Sequence, residues 1–225
     1  MSPTKGNSGK RRPAVVDKLE FWLSKHRQVD GLWIGTYECE AKPVLQTVET
    51  ALDLIAAYDR VRYDRLRRDL KRVWVRTLFG DLANFNESTD ACELDVRFVL
   101  DAEPSPETVA SIIVHEATHA RLWHRGIGYE AHLRSRVEAV CFRRELAFAK
   151  KLPNGKPLRK RAERMLDLCA SNDFWTNTAF KERHVEGAIE AARYVGLPVS
   201  IANILLLLRE SWGAVRRQLH RLKRL

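Results

Sequence analysis

Apolar residues recur three and four positions apart along most of the chain, which is the spacing of one face of an α-helix. A last segment, from Ser200 onward, extends this spacing into a stripe of about three heptads. The chain is therefore predicted to be mostly helical. The other predicted helices cover 13–26, 106–125, 129–152, 157–170 and 174–195. A further long helix is predicted to begin at Pro43 and becomes dense in arginine toward its end.

Three short segments favour β-strands instead. Residues 32–37 are rich in β-forming side chains, and 71–79 begins with polar–apolar alternation and ends at a Gly80-Asp81 turn signal. Residues 93–100 alternate again, and the polar stretch 84–90 before them predicts a loop. Strands set between long helices predict an α+β fold.

The helix over 106–125 has clear boundary signals. Ser105 suits the N-cap and Pro106 suits the first helical position. Glu107 places negative charge near the positive end of the helix dipole, and Gly126 is typical of the residue after a helix end. The residues before the centre are apolar, so this helix is predicted to be largely buried. They are Val109, Ile112, Ile113 and Val114.

At the centre of this helix stands a His-Glu-x-x-His motif, formed by His115, Glu116 and His119. Residues four apart project from the same helix face, so the two imidazoles can take two corners of a zinc tetrahedron. Glu116 can then act on a water at the metal as general base. The alternative is a chance pattern on a solvated helix, which the apolar neighbours argue against because buried polar groups need partners.

Two histidines do not complete a catalytic zinc site, which typically has three protein ligands and one position for water. One known arrangement needs a glycine three residues after the second histidine and a third histidine six residues after it. Those positions hold Leu122 and Arg125. His124 follows His119 by five residues and points to a different side of the helix. The third ligand is therefore expected on another element.

Glu138 is the favoured third ligand. It lies midway along the next predicted helix, which can run back past the first, and its neighbours are apolar. Cys141, one turn further on, is expected to be a core residue rather than a ligand. The alternatives left open are Glu130, Glu145 and His132, although Arg143 and Arg144 beside Glu145 favour a solvated ion pair there.

With His115-Glu116-x-x-His119 followed by Glu138, the chain resembles the zincin metallopeptidases of the branch with a glutamate third ligand. The resemblance covers roughly residues 43–150, where long helix, strands, metal helix and ligand helix follow the family's order. It implies one zinc ion per chain on the two histidines and Glu138, with Glu116 as general base. Residues that could stabilise the transition state, as such enzymes require, are Tyr129, His132, His184 and Tyr194.

Composition narrows the class of protein. The chain has 225 residues, of which 45% are hydrophobic and 30% charged, and no apolar run reaches the ~20 residues of a membrane span. Residues 1–12 lack the apolar core of a secretory signal. The four cysteines form no C-x-x-C pair, which argues against a zinc ribbon and, with the absent signal, leads us to expect a cytoplasmic protein.

The net charge of +10 lies almost entirely at the two ends of the chain. Residues 1–12 carry four basic side chains and no acid, whereas 209–225 carry six basic side chains and one acid. Basic ends could contact nucleic acid or an anionic surface, although no nucleic-acid-binding motif supports this. The apolar stripe near the C-terminus is expected to pack on the core, with a homodimer as the alternative.

The predicted organisation is a disordered basic tail, 1–12, followed by a single zincin-like domain, 13–225. Its core spans about 43–152, and a helical extension spans about 157–225. The expected activity is zinc-dependent hydrolysis of peptide bonds in a peptide or protein substrate, through a zinc-bound water that Glu116 activates. The alternative is a catalytically silent, metal-stabilised binding or regulatory protein on the same scaffold.

Overall fold

The computed structural model describes residues 13–101, 105–171, 173–194 and 196–198. The chain divides into two compact units, one formed by 1–77 and 82–176 and the other by 78–81 and 177–225. The predictions for the basic tail and for the C-terminal apolar stripe fall outside the described residues.

In the described residues, eight α-helices and five strands form an α+β fold, as the sequence predicted. Among the described helices, none is both long and apolar enough to cross a membrane. The helices are α1 (Val15–Leu23), α2 (Ala41–Tyr58), α3 (Arg60–Asp69), α4 (Val96–Leu100), α5 (Pro106–His124), α6 (Arg134–Ala149), α7 (Lys156–Ser171) and α8 (Asn177–Tyr194). The strands are β1 (Lys25–Val29), β2 (Leu32–Thr36), β3 (Arg72–Arg76), β4 (Ala83–Asn86) and β5 (Ala91–Asp95).

The strands form one mixed sheet in the order β1-β2-β3-β5-β4. The three central strands are parallel, with Ile34 opposite Val73 and Val73 opposite Cys92. The two edge strands run antiparallel to their neighbours, and on the β4 side Phe85 lies opposite Cys92. The sheet thus ends at β4 on the side that also contacts helix α5.

Each face of the sheet packs against helices. On one face, alternate residues of the central strands join the large core cluster that also contains the buried sides of α2 and α5. On the other face, Phe21 of α1 stacks on Trp33 with ring centroids 4.5 Å apart, and Trp74 is fully buried beside them. Because side chains alternate along a strand, neighbouring residues can serve both cores at once.

The N-terminal boundaries differ from the prediction. The helix predicted over 13–26 ends at Leu23, and a polar strand, β1, follows it at once. Asp30 and Gly31 join β1 to β2 with φ of 49° and 82°. An Asp-Gly pair with both φ angles positive is a favoured hairpin turn, so this dipeptide was the signal for the missed strand.

The long helix predicted from Pro43 is two helices, because Asp59 lies outside both α2 and α3 and separates them. The Asp59 side chain accepts a hydrogen bond from the backbone N–H of Arg62 and so caps α3. The same carboxylate pairs with the Arg62 guanidinium at 2.9 Å and with the Lys151 ammonium at 3.0 Å. A buried aspartate inside an apolar periodic stretch marks this break.

Two further predictions around the sheet were wrong. The polar stretch 84–90 is not only a loop, since β4 begins it and pairs with β5. The strand predicted over 93–100 stops at Asp95, whose carboxylate accepts from the backbone N–H of Arg97 and caps the short helix α4. Polar side chains suit β4 because it lies at the edge, half-buried, rather than inside the sheet.

Candidate metal and catalytic site

Helix α5 begins and ends where the sequence predicted, at Pro106 after an extended Ser105 and before Gly126, which has φ of +77°. From Val109 to Thr118 every residue of the helix is buried. His115 and Glu116 therefore lie in the interior, and His119, one turn on, is only partly covered. A helix that is buried all round brings its histidines into contact with neighbouring elements rather than with water.

Helix α6 packs along α5 and carries Glu138, which is 4% exposed, to the two histidines. One carboxylate oxygen, Oε2, lies 3.2 Å from Nε2 of His115, and the other, Oε1, lies 3.5 Å from Nε2 of His119. The predicted helix of the third ligand thus runs where it was expected, although it begins at Arg134 rather than at 129. The carboxylate spans both imidazoles.

The two imidazoles turn the same nitrogen toward each other, with their Nε2 atoms 3.1 Å apart. Two neutral Nε2 atoms that both lack hydrogen would repel at this distance, so either a proton or a cation must lie between them. Two imidazole nitrogens and a carboxylate oxygen around one buried point form a donor set that suits Zn²⁺. The residues present therefore fit the metal that the motif implies.

Glu145 lies behind His115, on the far side of the ring. Its Oε1 accepts from Nδ1–H of His115 at 2.5 Å, and its Oε2 accepts from Ser111 Oγ–H at 3.0 Å and from Arg161 Nη1–H at 3.2 Å. This bond places the hydrogen on Nδ1 and leaves Nε2 to face Glu138. The expectation of a solvated ion pair for Glu145 was wrong, because this side chain is 2% exposed while Arg143 and Arg144 point outward.

The charges of the site are strongly coupled. Burial lowers the pKa of His115, but hydrogen bonds to Glu138 and Glu145 outweigh it and hold that pKa well above its usual value. Burial and the charge of His115 lower the pKa of His119 to about 4. Burial raises the pKa of Glu138, yet the hydrogen bond from His115 leaves it below the usual value.

Glu116 and Tyr129 border the same cluster. The Tyr129 hydroxyl donates to Oε1 of Glu138, and the edge of its ring meets His119 with centroids 5.5 Å apart. Burial and the charge of Glu138 raise the pKa of Tyr129, which keeps its proton on the hydroxyl. Burial and then the charge of Glu116 raise the pKa of Cys92 on strand β5.

Cys141 was expected to be a core residue rather than a ligand. It is fully buried, as a core residue should be, and it carries a free thiol. Among the described residues, however, its Sγ forms a group with one nitrogen each of His115 and His119 in which all the atoms lie within 4.8 Å. Its spacing of three residues from Glu138 on one helix was the available signal.

The other candidates lie elsewhere. His132 is exposed in the turn before α6. The Glu130 carboxylate lies over Gly128, with Oε1 2.5 Å from the position that a Cβ atom on this glycine would occupy. His184 and Tyr194 belong to α8 in the second unit, where Nδ1 of His184 lies 3.7 Å from Oδ2 of Asp81.

Comparisons of the chain with protein-family models, with curated proteins and with solved structures found no match. The site is therefore interpreted from its own chemistry.

Proposed function

We propose that the protein is a zinc-dependent hydrolase of peptide bonds with a zincin-like core, in which His115, His119 and Glu138 hold the metal. The observation that carries the proposal is the Glu138 carboxylate, whose two oxygens lie 3.2 and 3.5 Å from the facing Nε2 atoms of the two histidines. Support also comes from the order of elements, since α2 is followed along the chain by strands β3, β4 and β5 and then by α5 and α6, the order expected for that family.

A bound zinc ion would supply a Lewis acid that polarises the substrate carbonyl and makes water nucleophilic near pH 7. The residues of the chain would orient the ligands and transfer the protons. Glu145 keeps the hydrogen of His115 on Nδ1, so that Nε2 offers its lone pair. Glu116 is buried and follows the first ligand directly in the sequence. Its carboxylate would take a proton from the attacking water and return it to the leaving amine.

Tyr129 is the candidate for stabilising the developing oxyanion. It belongs to the cluster through its contacts with Glu138 and His119, whereas His132 is exposed in a turn. Its raised pKa favours the protonated hydroxyl, which is the form that can donate a hydrogen bond to negative oxygen. In this role the hydroxyl would exchange its bond to Glu138 for one to the substrate.

The substrate class is inferred from the sheet. Strand β4 ends the sheet and contacts α5, and Phe85 of β4 lies opposite Cys92 of β5. An extended peptide can pair with the backbone of an edge strand, and this pairing recognises main chain rather than particular side chains. A peptide bound along β4 would thus lie beside the helix that carries the proposed general base.

The test of this function is Glu116→Gln. The variant should bind zinc as well as the unmodified chain does, because Glu116 is not a ligand, and should cleave a peptide panel about 10²–10⁴-fold more slowly. Glu107→Gln, nine residues earlier on the same helix, removes the same charge away from the site and should leave the rate unchanged. Unreduced cleavage by the Glu116 variant would refute this mechanism.

A second candidate function is a metal-stabilised binding or regulatory protein that hydrolyses nothing. The position of Cys141 favours it, because a fourth protein ligand is typical of structural zinc sites. Full zinc occupancy without cleavage of any peptide in a broad panel, by the unmodified chain and by Cys141→Ala alike, would support this candidate over the hydrolase.

A further inference from the structure

Cys141 lies one turn after Glu138 on α6, on the face that packs against α5. Its side chain is fully buried, and its thiol is free. Among the described residues, Sγ and one ring nitrogen from each of His115 and His119 lie within 4.8 Å of one another.

Two helices supply the donors. Residues four apart on α5 supply two imidazoles, each with a nitrogen within 4.8 Å of the Cys141 sulfur, and their Nε2 atoms lie 3.2 and 3.5 Å from the two oxygens of Glu138. Glu138 and Cys141 are three apart on α6, a spacing that places residues on one helix face. Sulfur is a preferred zinc ligand, with a Zn–S distance of about 2.3 Å, and four protein ligands complete a tetrahedron.

We propose that Cys141 is a fourth ligand of this metal, so that the thiolate occupies the position that hydrolysis requires for water. The inference rests on the proposed metal site. It adds that, in the resting state, protein ligands fill all four positions around the metal. As the metal–sulfur bond forms, the S–H bond breaks and its proton passes to solvent. As the site opens, water replaces the sulfur and the thiolate takes up a proton.

The test is the absorption spectrum of the full chain loaded with Co²⁺, which takes the geometry of zinc and reports its ligands. A thiolate ligand gives an intense sulfur-to-cobalt charge-transfer band in the near ultraviolet, which nitrogen and oxygen ligands lack. We expect this band in the unmodified protein at one cobalt per chain, and its complete loss in Cys141→Ser and Cys141→Ala. Cys39→Ser, at an exposed thiol, and Cys92→Ser, at a buried one, should keep it.

The outcomes separate this inference from the proposed function. Bound cobalt without the band in the unmodified protein overturns the role of Cys141 and leaves the histidine–glutamate site intact, whether or not any variant folds. A band that persists in Cys141→Ser also overturns the role of Cys141, because another thiol is then the ligand. Failure to bind cobalt or zinc at all overturns both the inference and the proposed function.

Discussion

Buried carboxylates occur in two regions of the molecule, and their partners differ. In strand β5, Glu93 and Asp95 are almost fully buried and face arginines: Asp95 binds Arg97 through both oxygens at 2.8 and 2.9 Å, and Glu93 lies 3.6 Å from Arg76. In helix α6, Glu138 and Glu145 are equally buried but face histidines. The main cation beside each carboxylate of β5 is an arginine, which keeps its charge at any ordinary pH. The main cation beside each carboxylate of α6 is a histidine, which can lose its charge.

This difference decides which region can do chemistry. A guanidinium has only donors and keeps its proton at any ordinary pH, so an arginine–carboxylate pair has no lone pair on the cation side for a metal. An imidazole that loses its proton offers a nitrogen lone pair beside the same carboxylate. The buried acids of β5 are therefore paired with arginines, whereas those of α6 lie beside groups that suit a metal ion.

The largest expected effect comes from Glu138→Ala. Removing this carboxylate takes away one proposed ligand and leaves the two histidines and Cys141, and the zinc affinity should fall by more than the ~10–100-fold that loss of a supporting residue costs. Competition with a chromogenic chelator measures the change. Retention of the original affinity would show that Glu138 is not a ligand.

The matched control is Glu93→Ala, which removes a carboxylate as deeply buried but paired with arginine. It should leave zinc affinity unchanged and lower the free energy of unfolding by about 2 kcal/mol, because Arg76 loses one partner and keeps Asp17 and Glu20. Denaturant unfolding measures this cost. Loss of zinc in this variant would remove the distinction between the two regions.

Glu145→Gln should have an intermediate effect. The amide is neutral and can either accept from Nδ1–H or donate to Nδ1, so it fixes the hydrogen of His115 less firmly than the carboxylate does, and zinc affinity should fall about 10–100-fold. Ser111→Ala removes only the hydrogen bond to the other carboxylate oxygen and should cost less. Equal affinities in the unmodified chain and in Glu145→Gln, at equal stability, would show that His115 is oriented by packing alone.

The smallest effect is expected at Asp59, another carboxylate with permanent cations beside it. Burial raises the pKa of Asp59, but Lys151 and Arg62 outweigh it and leave that pKa below its usual value. The stability it contributes is therefore present above the unfolded-state pKa of about 3.9 and is lost as pH falls through the folded-state value. Asp59→Ala should cost about 1–2 kcal/mol at pH 7, as for a lost helix cap, and progressively less below pH ~4.

Urea unfolding at several pH values checks this dependence. Asp64→Ala, at an exposed carboxylate paired with Arg60, should cost less than about 1 kcal/mol at every pH. A pH-independent cost at Asp59 would show that its role is steric.

Much of the site was predictable because its signals are local. The first-turn proline and the final glycine marked the ends of α5, although the Ser105 side chain makes no capping hydrogen bond, and the i, i+4 spacing placed His115 and His119 on one face. Glu138 could be inferred from its apolar neighbours. Glu145 could not, since the arginines beside it in sequence point outward, and its true partners come from α5 and α7.

The sheet was less predictable because its polar residues are partnered across elements. The alternation at Glu93 and Asp95 suggested a half-buried strand, but helices cover both faces and arginines from elsewhere accompany the acids. Strand β4 carries two asparagines, and only its pairing with β5 makes it a strand. Such contacts join residues distant in sequence, which periodicity does not record.

The most direct test of the metal site is the zinc content of the purified full chain by elemental analysis, beside His115→Ala. We predict about one zinc per chain in the unmodified protein and none in the variant. No zinc in the unmodified protein after supplementation, or equal zinc in both proteins, would contradict the assignment of this histidine–glutamate cluster as a metal centre.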